Sequence, residues 1–121
     1  MNRRALVIED DPVVRRLEEN LLIGEGYEVE SAVDGKTALE RLATQKYDVI
    51  VLDVGLPDTD GYDIARQLPT LEPNRATPLV VITGSTDPAA RRKGFAAGAA
   101  VFMAKPFTAE QFRAVVATVV P

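Results

Sequence analysis

The sequence predicts an α/β fold, a doubly wound sheet of five parallel strands with helices on both faces. Three observations carry that prediction. Strand-like and helix-like patterns alternate five times along the 121 residues, the signature of repeated βα units. Four of the strand-like runs, Leu6-Val7-Ile8, Val49-Ile50-Val51-Leu52, Leu79-Val80-Val81-Ile82 and Val101-Phe102-Met103-Ala104, are continuously apolar, as strands buried on both faces must be. Each of these runs then stops on a functional group: Glu9-Asp10-Asp11, Asp53, Thr83 and Lys105-Pro106. Right-handed crossovers would put every carboxyl end on one edge of the sheet, and ligands of open α/β sheets bind at that edge.

Taken in order, residues 4–9 form a short buried strand. A helix follows over 12–25, with Asp11 as N-cap, Pro12 in the first helical position and Val13, Val14, Leu17, Leu21 and Leu22 at helical spacing. Gly24 and Gly26 mark its end. Tyr27–Ala32 alternates polar and apolar residues, the pattern of a half-exposed strand at or near a sheet edge. Asp34-Gly35 begins a turn, and Ala38, Leu39 and Leu42 give the second helix its apolar face. Residues 48–53 are a central strand. The segment 54–61 is rich in turn formers, and the helix after it carries Tyr62, Ile64, Ala65 and Leu68 and ends before Pro69. Three prolines make 69–78 an irregular connection. Residues 79–83 are a fourth buried strand, and a helix from Pro88 runs through Ala89, Ala90 and Phe95 to Gly98. The last strand is 100–104, and Phe107, Phe112, Val115, Val116 and Val119 line the closing helix. There is no repeat, low-complexity tract or linker, so the expectation is one domain over 1–121 with no output domain.

Composition narrows the function classes. The chain is 46% hydrophobic and 26% charged, as expected of a globular domain with a real core. No apolar stretch is long enough to span a membrane, and the residues before Glu9 are too few for a signal peptide; the expected location is cytoplasmic. A net charge of −4 without a long basic run predicts no direct nucleic-acid binding. The chain has no cysteine and no histidine, which removes thiol chemistry, internal phosphohistidine and the usual ligands of zinc.

The acids at the strand ends carry the sharpest signal. Glu9, Asp10 and Asp53 would repel and desolvate one another at adjacent strand ends, and a hard cation relieves that. Magnesium takes a few carboxylates together with waters and phosphate oxygens, which suits a small open site. Asp53 is a suitable nucleophile, since a carboxylate can form an aspartyl phosphate. Lys105 could bridge an acid of the cluster or steady charge developing on a phosphoryl oxygen, and Lys105-Pro106 is a candidate cis peptide. Thr83, followed by Gly84 and Ser85, is either an ordinary β-branched strand residue or a hydroxyl that reaches a phosphoryl group.

The matching pieces Leu6-Val7-Ile8-Glu9-Asp10-Asp11-Pro12, Val51-Leu52-Asp53-Val54-Gly55-Leu56-Pro57 with Asp60-Gly61, Val81-Ile82-Thr83-Gly84 and Lys105-Pro106-Phe107 resemble, over essentially the whole chain, the receiver domain of two-component response regulators. The resemblance implies the flavodoxin-like (CheY-like) fold with strand order 2-1-3-4-5. It implies that Asp53 accepts a phosphoryl group from the phosphohistidine of a sensor histidine kinase or histidine phosphotransfer protein. It further implies magnesium bound by Asp10, Asp53 and the backbone carbonyl of Gly55, with Glu9 acting mainly through water. Lys105 would hold one phosphoryl oxygen, Thr83 would move to another, and Phe102 would turn inward as the switch aromatic. That movement reshapes the surface of the fourth helix, fifth strand and fifth helix, which such domains use for partners, including a homodimer on phosphorylation. Such a domain is a signalling module and not a dedicated enzyme. Which effector or output domain it serves is open.

Three positions qualify the expectation: Phe102, which stands where tyrosine is also common so that the switch would lack a hydroxyl at its tip, Gly55 and Ser85. Gly55 and Ser85 are small, which leaves the phosphoryl group open to water. Arg91-Arg92-Lys93 reads as a solvated basic face or a docking patch for an acidic partner. Two other classes weigh less. A magnesium-dependent aspartyl-phosphate phosphatase would want a second acid at position 55, and a flavin or nucleotide carrier would want an amide-rich turn after the first strand where this chain has Glu-Asp-Asp-Pro. A receiver-like module that binds without phosphorylation is the remaining alternative.

Overall fold

The computed structural model describes residues 2–84, 88–96 and 98–121. Its elements follow the order β1 (Arg3–Ile8), α1 (Pro12–Gly24), β2 (Tyr27–Ala32), α2 (Gly35–Thr44), β3 (Val49–Asp53), α3 (Gly61–Gln67), β4 (Leu79–Thr83), α4 (Pro88–Ala96), β5 (Val101–Ala104) and α5 (Ala109–Val119). The five strands pair in parallel in the order β2-β1-β3-β4-β5. This is the CheY-like topology.

Period-two alternation sorts the strand residues onto two cores. Leu6, Ile8, Ile50, Leu52 and Val81 face one layer, where Ala38 and Leu42 of α2 and Ile64 and Ala65 of α3 cover them. Ala5, Val7, Val49, Val51, Val80 and Ile82 face the other, under Leu22 of α1 and Phe112 and Val116 of α5. Every residue of β3 and β4 is buried, whereas β2, at the edge, is buried mainly at its two ends. Helix starts follow capping chemistry. Asp11 accepts from the amides of Val13 and Val14, Asp34 from Thr37, and Asp60 from Tyr62, while Thr108 and Gln111 form a capping box at α5.

Three expectations need correction. Phe107 precedes α5 instead of lining it, and stacks on Phe112 with ring centroids 5.6 Å apart. In α1 the apolar face is rotated from the one expected: Val13 is 77% and Leu17 41% exposed, while Glu18 is 1% exposed. The connection between α3 and β4 holds two 3-10 turns, Leu68–Thr70 and Glu72–Asn74, and the second delivers Asn74 into the interior. Its side-chain amide donates to the carbonyls of Leu42 and Gln45, both at 2.7 Å, and its oxygen accepts from the Tyr47 amide at 2.8 Å and the Thr77 hydroxyl at 3.1 Å. One buried asparagine therefore ties α2 to the amino ends of β3 and β4.

Candidate functional site

Strand register aligns the carboxyl ends. Ile8 lies opposite Leu52, Asp53 opposite Ile82, and Thr83 opposite Ala104. Backbone bonds continue this alignment past the strands: the Glu9 amide donates to the Ala32 carbonyl at 3.0 Å and the Lys105 amide to the Thr83 carbonyl at 2.9 Å. Glu9, Asp10, Asp53, Thr83 and Lys105 thus meet at one edge, as the sequence predicts. Asp11 does not join them and caps α1.

Carboxylate oxygens of Glu9, Asp10 and Asp53 all lie within 4.8 Å of one another. Glu9, Asp53 and Thr83 are buried and Asp10 is exposed. The Lys105 ammonium stands 3.3 Å from Glu9 Oε2 and 3.3 Å from Asp53 Oδ2. Each buried acid also accepts one amide bond, Glu9 Oε1 from Asp11 at 3.2 Å and Asp53 Oδ1 from Gly55 at 3.2 Å. Arg15 braces the turn from behind, donating to the carbonyls of Glu9 and Asp10 at 3.3 Å each.

The charges are out of balance, with three carboxyl groups beside one ammonium. Burial pushes the Glu9 carboxyl well above the usual range, and the hydrogen bond and charge of Asp53 push it the same way against the opposing pull of Lys105. Burial alone would lower the Lys105 ammonium, but the charges of Asp53 and Glu9 outweigh it and raise it. An all-oxygen donor set with surplus negative charge, open on the Asp10 side, fits a hard divalent cation of the magnesium kind.

The loop after Asp53 is held in place from several directions. Gly55 and Asp60 form an antiparallel bridge, and the Gly61 amide donates to the Val54 carbonyl at 3.0 Å. A Cβ on Gly61 would stand 2.6 Å from the Val54 Cα and 2.9 Å from the Asp53 carbonyl oxygen, so only glycine permits that approach. Asp58 reaches across to α2, accepting from the amides of Gly35 at 2.7 Å and Lys36 at 3.1 Å, where a helix start favours negative charge. Asp60 caps α3 with one oxygen and pairs with Lys93 of α4 through the other at 2.9 Å.

Lys93 is exposed, as a solvated basic face requires, but its ammonium is engaged, since it also lies 5.1 Å from the centre of the Tyr62 ring. The Arg91 side chain and Ser85 lie outside the described residues. Phe102 sits away from the carboxylates, partly buried, with its ring 5.1 Å from Phe95 and 6.4 Å from Tyr62. The Lys105–Pro106 peptide is cis, the conformer considered for it from sequence. Sequence reasoning missed Arg15, Glu18, Asp58 and the Asp60–Lys93 pair. Only Asp58 carried a signal, as an acid two residues before the N-cap Asp60.

The family model for the response regulator receiver domain matches residues 5–117. Response regulator ArlR of Staphylococcus saprophyticus is 35% identical over 92% of this chain and 49% of its own length. The chain thus spans about half the length, or less, of the curated relatives it matches. Among solved structures, chemotaxis response regulator CheY4 of Vibrio cholerae superposes with a TM-score of 0.93 at 29% identity, covering 99% of this chain and 100% of that one. The receiver domain of sensor histidine kinase PA1611 of Pseudomonas aeruginosa, solved with magnesium coordinated in its active site cleft, gives 0.89 at 29% identity over 98% of each chain. With the acid cluster, its lysine and the parallel sheet in place, the chain belongs to the response regulator receiver domains, modules of two-component systems whose general function is phosphoryl acceptance.

Proposed function

We propose that Asp53 is the phosphoryl acceptor of this chain. The observation that carries the proposal is its position: the buried carboxylate ends the central strand 3.3 Å from the Lys105 ammonium, within a cluster of three acids. A carboxylate oxygen of Asp53 attacks phosphorus, the phosphorus–nitrogen bond of a partner's phosphohistidine breaks, and the imidazole leaves with the electron pair. Lys105 follows the charge onto a phosphoryl oxygen, and its paired resting position holds it within reach. The Thr83 hydroxyl takes a second phosphoryl oxygen, and Phe102 turns inward. Water later attacks phosphorus and regenerates the Asp53 carboxylate with release of inorganic phosphate.

Asp10, Asp53 and the Gly55 carbonyl would hold magnesium, with Glu9 acting through water; the ion supplies charge neutralisation between the acids and the entering phosphoryl group. The donor is a sensor histidine kinase or a histidine phosphotransfer protein in the cytoplasm, since the sequence holds no histidine of its own. Among the described residues no helix is long and apolar enough to cross a membrane. The switched surface comprises α4, β5 and α5, where an effector or a second copy would bind. The chain acts as a signalling module whose only chemistry is its own phosphorylation and dephosphorylation. Gly55 supports this over a phosphatase, because the position two residues past the acceptor carries no acid.

Incubation with magnesium and acetyl phosphate, read by intact mass, tests the assignment. Wild type gains one labile phosphoryl group and Asp53→Asn gains none. Equal gain by both proteins refutes the role of Asp53.

A further inference from the structure

The least expected side chain in the molecule is Glu18. It stands on the inward column of α1, one turn after Val14 and one turn before Leu22, and Leu22 packs in the apolar layer with Val7, Val51 and Phe112. Glu18 is 1% exposed and neither carboxyl oxygen has a hydrogen-bond partner. A carboxylate buried this way without a partner is strongly disfavoured, so such a group rests as the neutral acid.

Its surroundings connect it to the site. Val14 and Leu17 of α1, together with Lys105, Pro106 and Phe107, line a groove of about 350 Å³ between α1 and the β5–α5 connection. Lys105 thus borders two spaces, the acid cluster on one side and this groove on the other. α1 packs on β1, β2 and α5. The charged groups that act on Glu18 are Glu9 after β1, Asp53 of β3, Lys105 after β5 and Glu19 on its own helix. From β2, Ser31 is engaged with Glu19, and from α5, Arg113 pairs with Glu25 at the far end of α1. Lys105 is the one cation among the groups that act on Glu18.

We propose that Glu18 is a buried proton switch acting through Lys105: neutral, it leaves the ammonium to Glu9 and Asp53; ionised, it draws the ammonium toward α1 and weakens phosphoryl acceptance. On ionisation the proton passes to solvent water and no other bond changes. Burial, with the charge of Glu9 adding to it, pushes the carboxyl up to about 8, which places the switch on the alkaline side of neutral. Glu18 is a positioning residue and touches no phosphoryl group. The effect on acceptance rests on the reading of Asp53 as acceptor, whereas the switch itself does not.

The test begins with metal-free, unphosphorylated protein labelled with carbon-13 and nitrogen-15. Carboxyl carbons and the Lys105 ammonium are followed by NMR from about pH 5 to about pH 10. The Glu18 carboxyl, assigned by its loss in Glu18→Gln and Glu18→Leu, is expected to titrate above neutrality, with Lys105 shifting in step in wild type and not in Glu18→Gln. Titration of Glu18 with the ordinary carboxylates, or the same Lys105 response in both proteins, overturns the proposal. In the presence of magnesium, the rate of phosphorylation by acetyl phosphate relative to Glu18→Gln is expected to be near one at about pH 6 and to fall several-fold by about pH 9. A ratio that stays flat also overturns it. If no protein is phosphorylated at any pH, the reading of Asp53 fails while the NMR titration still decides the switch. Two variants assign the Glu18 signal independently, so poor folding of one does not shield the proposal, and a wild-type spectrum with no carboxyl titrating above neutrality overturns it without either.

Discussion

Two edges of the same sheet treat buried polar groups in opposite ways. At the amino ends of β3 and β4, Asn74 is fully buried and matched by four partners. Nearby, the Tyr47 hydroxyl donates to Glu30, which also pairs with Arg4 and Arg41. At the carboxyl ends, Glu9 and Asp53 share the single ammonium of Lys105 with Asp10 crowded beside them, and neither Glu18 carboxyl oxygen has a hydrogen-bond partner. At the first edge every polar atom of Asn74 and the Tyr47 hydroxyl is matched, and among the described residues there the Arg41 Nε alone is left over; the second holds surplus negative charge that a divalent cation would offset. The difference separates holding the fold from operating it. Satisfied networks rigidify, and sites kept short of satisfaction are where ligands bind and pKa values move.

The comparison can be broken by exchanging these behaviours. The largest effect is expected at Lys105. Lys105→Ala should slow phosphorylation by acetyl phosphate by roughly 10²-fold or more, as removal of a preorganised electrostatic group does, while the fold persists. Rate measurement at saturating magnesium checks this, and a change of under twofold would assign the charge stabilisation elsewhere. Asn74→Ala should do the reverse, lowering stability by about 2–4 kcal/mol because it strands buried groups, with the phosphorylation rate of the folded fraction preserved. Denaturant titration checks that outcome.

The pH dependence of stability is a separate readout of the unmatched edge. The Glu18 carboxyl is raised by burial from 4.5 to about 8, so the folded protein keeps a proton that the unfolded chain has lost between those values. This stabilisation is complete below about 4.5 and disappears as pH rises toward about 8, a swing of roughly 3–6 kcal/mol. Glu18→Gln should lack the swing, and the difference between the two stability profiles measures it free of the other titrating groups. The smallest effect is expected at Gly55. A Cβ there would meet only Asp53 Oδ1, at 3.8 Å, so the backbone accepts a side chain at this position, and that of Gly55→Arg should change the dephosphorylation rate several-fold by screening the phosphoryl group from water. Equal lifetimes in both proteins would show that water reaches the phosphoryl group by another path.

How much of this was legible in the sequence follows the same division. Buried parallel strands must be continuous apolar runs, so β1, β3, β4 and β5 and the groups that end them stand out in the chain. Asp11 and Pro12 announce the start of α1 by capping chemistry. Asn74 was illegible because an asparagine among prolines is indistinguishable from a turn residue, and its partners lie near positions 42–47 and at 77. Glu18 was illegible for a related reason. Val13 and Leu17 satisfy helical periodicity as well as the inward residues do, and only packing against β1 and α5 decides which column turns inside. The Asp60–Lys93 pair joins segments 33 residues apart, a spacing that carries no local signal.

The measurement that tests the account most directly follows stability and phosphoryl acceptance on the same samples of wild type, Asp53→Asn and Asn74→Ala. We predict that Asp53→Asn loses all phosphoryl gain by intact mass while its unfolding free energy stays within about 1 kcal/mol of wild type or rises, since one of three crowded charges is gone. Asn74→Ala should lose stability and still be phosphorylated where folded. An Asp53→Asn protein that unfolds as readily as Asn74→Ala, or that still gains a phosphoryl group, would contradict the account.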